Sequence, residues 1–173
     1  SKALLDEWTG YVKGMPKAVL WGSARDLLAG KDTLRTRLGR YLRNEYPLNT
    51  FRMTAADMRS FVATINRIRP VQILAYADAA FELARFIESE GLRVHSPKAL
   101  MTSATTLYPH MRDMIERVFS APVFNRYGSR EVGDIACECE YHNGLHVNPY
   151  THHVEILRAD GSPCAPGEVG EVA

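Results

Sequence analysis

The sequence predicts an α/β protein in which parallel βα layers give way to an antiparallel β-rich portion. Three observations carry this. Short apolar runs of β type alternate with amphipathic helical segments between residues 17 and 127. The connections between them are short, which favours right-handed parallel crossovers. After Gly133 the pattern changes to short strands separated by turn residues, as in antiparallel hairpins.

KAVLWG (17–22) reads as the first buried strand. From Ser23 to about Asn44, Leu27, Leu28, Leu34, Leu38, Tyr41 and Leu42 recur at helical intervals, and Pro47 is read as a break. Arg35, Arg37, Arg40 and Arg43 also follow helical spacing, and are read as a solvated face rather than a partner-binding stripe. Thr54 is a good N-cap for a helix to about Ile68, with Ala55, Met58, Phe61, Val62 and Ile65 on one face. Pro70 ends it, and VQILAY (71–76) is the next strand. Asp78 opens a helix that stops at Gly91. KALMTS (98–103) is a strand, Leu107 to Phe119 a helix, and PVFNRY (122–127) a strand again. Short strands are expected at about 133–140, 145–149, 153–158 and 168–173, divided by His142-Asn143-Gly144 and Asp160-Gly161-Ser162-Pro163. Residues 1–132 are thus a βα portion and 133–173 a β-rich portion of the same domain, read as truncated at both ends.

Composition narrows the function. The 173 residues are 46% apolar and 24% charged, values of an ordinary soluble domain with a real core. A net charge of +1 gives no field toward nucleic acid or an anionic membrane, so neither is expected as a partner. No apolar run approaches the ~20 residues that span a bilayer, and the first residues do not resemble a signal peptide. Three cysteines are poor material for a disulfide framework, so a cytoplasmic protein is expected. Oligomeric state is not legible.

In a parallel sheet, ligands gather at the carboxyl ends of the strands. Two turns qualify: TSATT (102–106) and NRYGSRE (125–131). Gly128 allows close backbone approach, Tyr127 offers a face to a base, Arg130 can hold phosphate, and Glu131 is a hard oxygen ligand for Mg²⁺. The competing reading is a plain strand-to-loop transition, with Tyr127 in the core and Arg130 paired to Glu131. Trp21 and Tyr76 end strands at the same edge and can line an acyl pocket; core packing is the competing reading for Trp21.

Tyr127-Gly128-Ser129-Arg130-Glu131 resembles the Tyr-Gly-x-Thr-Glu motif of adenylate-forming (AMP-binding) enzymes. The variant is that of phenylacetate–CoA ligase-like and capsular-polysaccharide-type proteins. KALMTSATTLYPHMRDMIERVF, PVQILAYADAAFELARFI and GDIACECEYHNGLHVN are similar to the same family in order and spacing.

The resemblance implies part of an acyl-CoA-synthetase-like large domain. The activity it implies is ATP-dependent adenylation of a carboxylic acid, usually aromatic or arylacetic, with transfer of the acyl group to coenzyme A. It implies that Tyr127 packs on adenine, Asn125 contacts its edge, and Gly128 and Ser129 lie beside the ligand. Glu131 would hold Mg²⁺ on the phosphates, with Arg130 and Glu131 as the catalytic pair. Ser103, Ala104 and Thr105 would meet adenine from the other side, and Tyr76 the acyl group. The family's hydroxyl before the glutamate is Arg130 here, and its acidic loop residue is Thr105. Its phosphate loop is expected before residue 1, and its ribose-binding aspartate and small C-terminal domain after residue 173. This chain alone is therefore expected to be nearly inert.

A second chemistry lies in Cys137, Cys139, His142 and His146. Cysteines two apart on a strand share a face, and the Asn-Gly turn would fold the histidines back beside them. The four could close on one structural zinc, with His152 and His153 as spares. The competing reading is buried small cysteines and surface histidines. A zinc-stabilised binding module without catalysis is the alternative to the ligase.

Overall fold

The computed structural model describes residues 2–22, 34–129 and 131–173. Helix α1 (Lys2–Trp8) precedes strand β1 (Lys17–Leu20). There follow α2 (Leu34–Arg43), β2 (Glu45–Leu48), α3 (Ala55–Ile68), β3 (Gln72–Tyr76), α4 (Ala77–Ser89), β4 (Ala99–Ser103), α5 (Pro109–Phe119) and β5 (Val123–Ser129). The remaining strands are β6 (Gly133–Cys137), β7 (His146–Val147), β8 (Ile156–Leu157) and β9 (Glu171–Val172).

A seven-stranded sheet runs β2-β1-β3-β4-β5-β6-β7. Its first five strands are parallel, and β6 and β7 continue it antiparallel from β5. Strands β8 and β9 form a separate antiparallel pair. This is the mixed α/β order that the sequence predicts.

Period-two alternation divides the parallel strands between two faces. Ala18, Leu20, Ile73, Ala75, Leu100 and Val123 pack on Phe61, Val62 and Ile65 of α3, Leu83 and Ile87 of α4, and Ile115 and Phe119 of α5. The opposite face is covered more thinly: Leu5 and Trp8 of α1 meet Leu74, Met101 and Cys137.

The local signals act as their chemistry requires. The Asp57 N–H donates to Thr54 Oγ1 at 3.2 Å, and the Thr54 N–H donates to Asp57 Oδ2 at 3.1 Å, a reciprocal capping box that opens α3. Arg69 closes that helix in the left-handed region (φ 48°), its N–H donating to Ile65 O, directly before Pro70. Pro109 is at the start of α5, where a missing N–H breaks no helical bond.

Three expectations are corrected. Pro47 does not break the chain; it sits within β2, opposite Val19. The bonds to β1 use the carbonyls of Asn44 and Leu48, so Pro47 faces the open edge and its missing N–H costs no ladder bond. The predicted helix 23–44 is present over Leu34–Arg43, and residues 23–33 lie outside the described residues. Its apolar side chains Leu34, Leu38, Tyr41 and Leu42 are exposed. The β-rich portion has shorter strands than expected: β6 stops at Cys137, and β7, β8 and β9 have two residues each.

Candidate functional site

The two turns singled out in the sequence lie side by side. Tyr76 at the end of β3 pairs with Ser103 at the end of β4, and Thr102 pairs with Asn125 of β5. The loop after β4 therefore borders the outer half of β5. Ser103 is buried, and Ala104 is held at φ 73°, a conformation that costs a non-glycine residue on the order of 1 kcal/mol. The Thr105 hydroxyl accepts from the Asp78 N–H at 3.4 Å. It thereby serves the first turn of α4, whose N-cap Tyr76 makes no side-chain cap bond. A threonine at 105 ties the loop to a helix start, which the sequence did not reveal.

An open pocket of about 370 Å³ lies here, walled by Gly22, Thr50, Phe51, Tyr76, Ala104 and Thr105. The rings of Trp21 and Tyr76 pack with centroids 4.0 Å apart, so each is fixed by the other. Both are only half-buried. At Gly22 a Cβ would meet Asn49 Oδ1 at 2.3 Å and the Phe51 nitrogen at 2.8 Å. Glycine lets the 49–51 segment close over that wall.

Beyond Asn125, β5 leaves β4 and pairs with β6, with a bulge at Tyr127/Gly128. Tyr127 is 46% exposed, so it is not the core residue of the competing reading. Gly128 has a different reason from the one read in the sequence. A Cβ there would stand 2.3 Å from the Gly133 carbonyl oxygen and 3.2 Å from Asp134 Cα. The close approach is by strand β6, within the protein. Ser129 Oγ accepts from the Val132 N–H at 3.3 Å, tightening the same turn. Glu131 is exposed in that turn, and Arg130 lies outside the described residues.

Two charged pairs support this turn, and neither was singled out in the sequence. Arg126 and Asp134 bridge β5 and β6 at 2.9 Å with side chains about nine-tenths buried. Arg126 Nε and Asp134 Oδ2 have no hydrogen-bond partner among the described residues. Arg112 of α5 grips the Glu138 carboxylate with one nitrogen at 2.7 and 2.8 Å. Burial alone would raise the Glu138 carboxyl. Hydrogen bonds from Arg112, the Asn125 N–H and His142 outweigh it and hold the group below the usual range.

The cysteines and histidines do not gather. Cys137 is fully buried with Leu5 and Met101, and burial pushes its thiol up to about 12. Cys139 Sγ lies 3.1 Å from His146 Nε2, and the His146 ring packs near Trp8. His142 instead sets Nδ1 3.1 Å from Glu138 Oε2 and its ring against Phe124. His152 turns to the Val132 carbonyl, and His153 to Glu155. Among the described residues no group of three or more His, Cys, Asp or Glu could hold a metal ion. The zinc expectation assumed a strand through Cys139. Cys137 and Cys139 both lie near His146, but His142 turns to Glu138 and Phe124 and the Cys137 thiol is packed in the apolar core, so the four do not converge on one ion.

No family model matches the chain. Among curated proteins, Protein CapK of Staphylococcus aureus is 26% identical over 157 residues, which covers 90% of this chain and 34% of that protein. The chain thus spans about a third of its length. A 2-hydroxyisobutyryl-CoA ligase, solved in the postadenylation state with an acyl-AMP, superposes with a TM-score of 0.73. The identity is 16%, over 97% of this chain and 36% of the ligase. A long-chain-fatty-acid-CoA ligase (FadD1) of Archaeoglobus fulgidus gives a TM-score of 0.69 at 14% identity, over 98% of this chain and 36% of that one. The chain has the fold of a piece of the large domain of acid–CoA ligases, as the resemblance to adenylate-forming enzymes implied.

Proposed function

We propose that the protein acts in ATP-dependent activation of a carboxylic acid, and that these residues supply the adenine and acyl sides of its site. One observation carries the reading: the 103–105 loop and the 125–131 turn border each other at the carboxyl ends of adjacent strands, on the fold of acid–CoA ligases. In the reaction, a carboxylate oxygen attacks the α-phosphorus of ATP and expels pyrophosphate, leaving an acyl-adenylate. The sulfur of coenzyme A then attacks the acyl carbon and expels AMP. Both steps depend on positioning and charge neutralisation more than on proton transfer.

Each residue has a physical part in this. Tyr127, exposed at the bulge, offers its ring to adenine, and the Asn125 side chain contacts the base edge. Ser103 and Ala104 bound the other side of the base, with Thr105 holding their loop to α4. Gly128 and Ser129 keep the turn tight beside the ligand. Mg²⁺ is commonly bound by one or two carboxylates together with substrate phosphates, so the single exposed Glu131 fits it in number and in ligand type. Arg130 is assigned to phosphate on its chemistry alone. The aromatic pair Trp21 and Tyr76, with Phe51, suits a flat acyl group, so an aromatic or arylacetic acid is the proposed substrate class.

The test is acid-dependent ATP–pyrophosphate exchange by the whole protein across benzoic, arylacetic, short branched and long-chain acids. Exchange with aromatic acids is expected. No exchange with any acid would end the reading, and exchange only with aliphatic acids would end the substrate assignment.

A further inference from the structure

We propose that Glu138, clamped by Arg112, is a positioning residue that fixes the adenine-contacting part of β5 and so sets which base the site accepts. This rests on the assignment of Asn125 and Tyr127 to the nucleotide.

Strand β5 is shared between two ladders. Its inner edge pairs with β4 through Val123, Phe124 and Asn125, and its outer edge pairs with β6 only from Arg126 onward. The Leu100 N–H donates to the Pro122 carbonyl, so even-numbered residues there turn their main-chain groups to β4. Val123 and Asn125 therefore point theirs to the outer edge, past the end of β6 at Cys137. Buried main-chain groups without partners are costly, so something must replace the missing strand.

Three side chains do so. Glu116 Oε1 accepts from the Val123 N–H at 2.9 Å, and Arg112 donates to the Val123 carbonyl. Glu138 Oε2 accepts from the Asn125 N–H at 2.9 Å, and the Glu138 N–H donates to the Asn125 carbonyl at 2.9 Å. One residue thus holds both main-chain groups of Asn125.

Glu138 is itself fixed. One Arg112 nitrogen bridges both carboxylate oxygens, His142 Nδ1 lies 3.1 Å from Oε2, and the residue is 7% exposed. Charge-assisted contacts of this kind are short and directional. The bulge at Tyr127/Gly128 begins only two residues past Asn125, where a strand would otherwise be free to shift register. One register step is about 3.3 Å, whereas misplacement by about 1 Å is enough to cost a reacting complex heavily. Glu138 therefore carries the alignment of α5 into the position of Asn125 against the base.

The experiment compares Glu138→Gln with the parent in the whole protein, using pyrophosphate exchange with ATP and with GTP. The amide keeps an acceptor for the Asn125 N–H but loses the charge that holds Arg112. The KM for ATP should rise roughly fivefold, the scale of one weakened hydrogen bond, with the KM for the acid unchanged. The ATP-over-GTP preference in kcat/KM should fall by a similar factor. Arg112→Lys should lower the same preference, and it serves if Glu138→Gln does not fold. An unchanged preference in a folded variant, with only a lower melting temperature, would make Glu138 merely structural and overturn the inference. A parent protein that exchanges with neither nucleotide would instead overturn the functional reading beneath it.

Discussion

Single residues here separate what a turn needs from what a ligand needs. Gly128 looks in sequence like a glycine that lets a ligand approach the backbone, yet its missing Cβ makes room for the Gly133 carbonyl. Gly128→Ala should destabilise the protein by about 2 kcal/mol or more, since the opposing group is backbone and cannot rotate away. Denaturant unfolding checks this, and a change below about 0.5 kcal/mol would refute it. Glu131→Gln should behave in the opposite way. Exposed in the turn, it should leave stability within about 0.5 kcal/mol, while pyrophosphate exchange falls at least about a hundredfold as Mg²⁺ loses its anionic ligand. Retained exchange would remove Glu131 from the site. Among the cysteines, Cys137 is buried and its thiol raised to about 12, whereas Cys139 and Cys164 are partly exposed. A disulfide reagent at pH 8 should therefore reach two of this chain's three thiols in the native state and Cys137 only in denaturant. Three reactive thiols without denaturant would contradict the packing against Leu5 and Met101.

At the scale of elements, local signals were legible and tertiary ones were not. The Thr54 N-cap of α3, the helix read over Leu107 to Phe119 and the apolar runs of β3 and β4 depend on residues close in sequence. Each was read with nearly the right bounds. Pro47 was misread because an edge position, which makes a strand proline harmless, belongs to the sheet and not to the local sequence. The zinc reading missed contacts between elements. Cys137 pairs with His146 and Cys139 reaches it, but His142 is taken by Glu138 and Phe124 and Cys137 by the core under α1, and neither contact is local in sequence. The adjacency of the two turns was legible from strand order, but the Arg112–Glu138 and Arg126–Asp134 pairs were not, since their partners lie on different elements or across a bulge. The second pair gives an element-scale prediction. Asp134→Ala leaves a largely buried guanidinium without its partner and should cost about 3 kcal/mol, whereas a cost under about 1 kcal/mol would show that water reaches Arg126. The first pair gives a pH dependence. The Glu138 carboxyl is held below its usual value, so the folded state binds its proton less readily than the unfolded chain. Its stabilisation is present above the ordinary carboxylate range and is lost as pH falls through that range toward the lowered value. The acid slope of stability should therefore be shallower in Glu138→Gln than in the parent; parallel slopes would count against the pair.

On the proposed reading, this chain brings one half of a nucleotide's contacts to one edge. The 173 residues offer an exposed ring at Tyr127, a fixed strand at Asn125 and a capped loop at Ser103–Thr105. They contain no glycine-, serine- and threonine-rich loop of the kind that cradles a triphosphate. The charged end of the nucleotide would have only Arg130 and, through Mg²⁺, Glu131 to meet it. Stacking and a few hydrogen bonds at an open edge leave most of the triphosphate in water, and the entropy of immobilising the ligand must still be met. This chain studied by itself should therefore bind ATP with a dissociation constant well above about 1 μM, and AMP nearly as well as ATP, because the phosphates contribute little. Titration calorimetry of both nucleotides, with and without Mg²⁺, measures the two quantities together. Micromolar binding of ATP with a large advantage over AMP would mean that these residues themselves grip the triphosphate, and would move the phosphate contacts from elsewhere in the protein into the 125–131 turn.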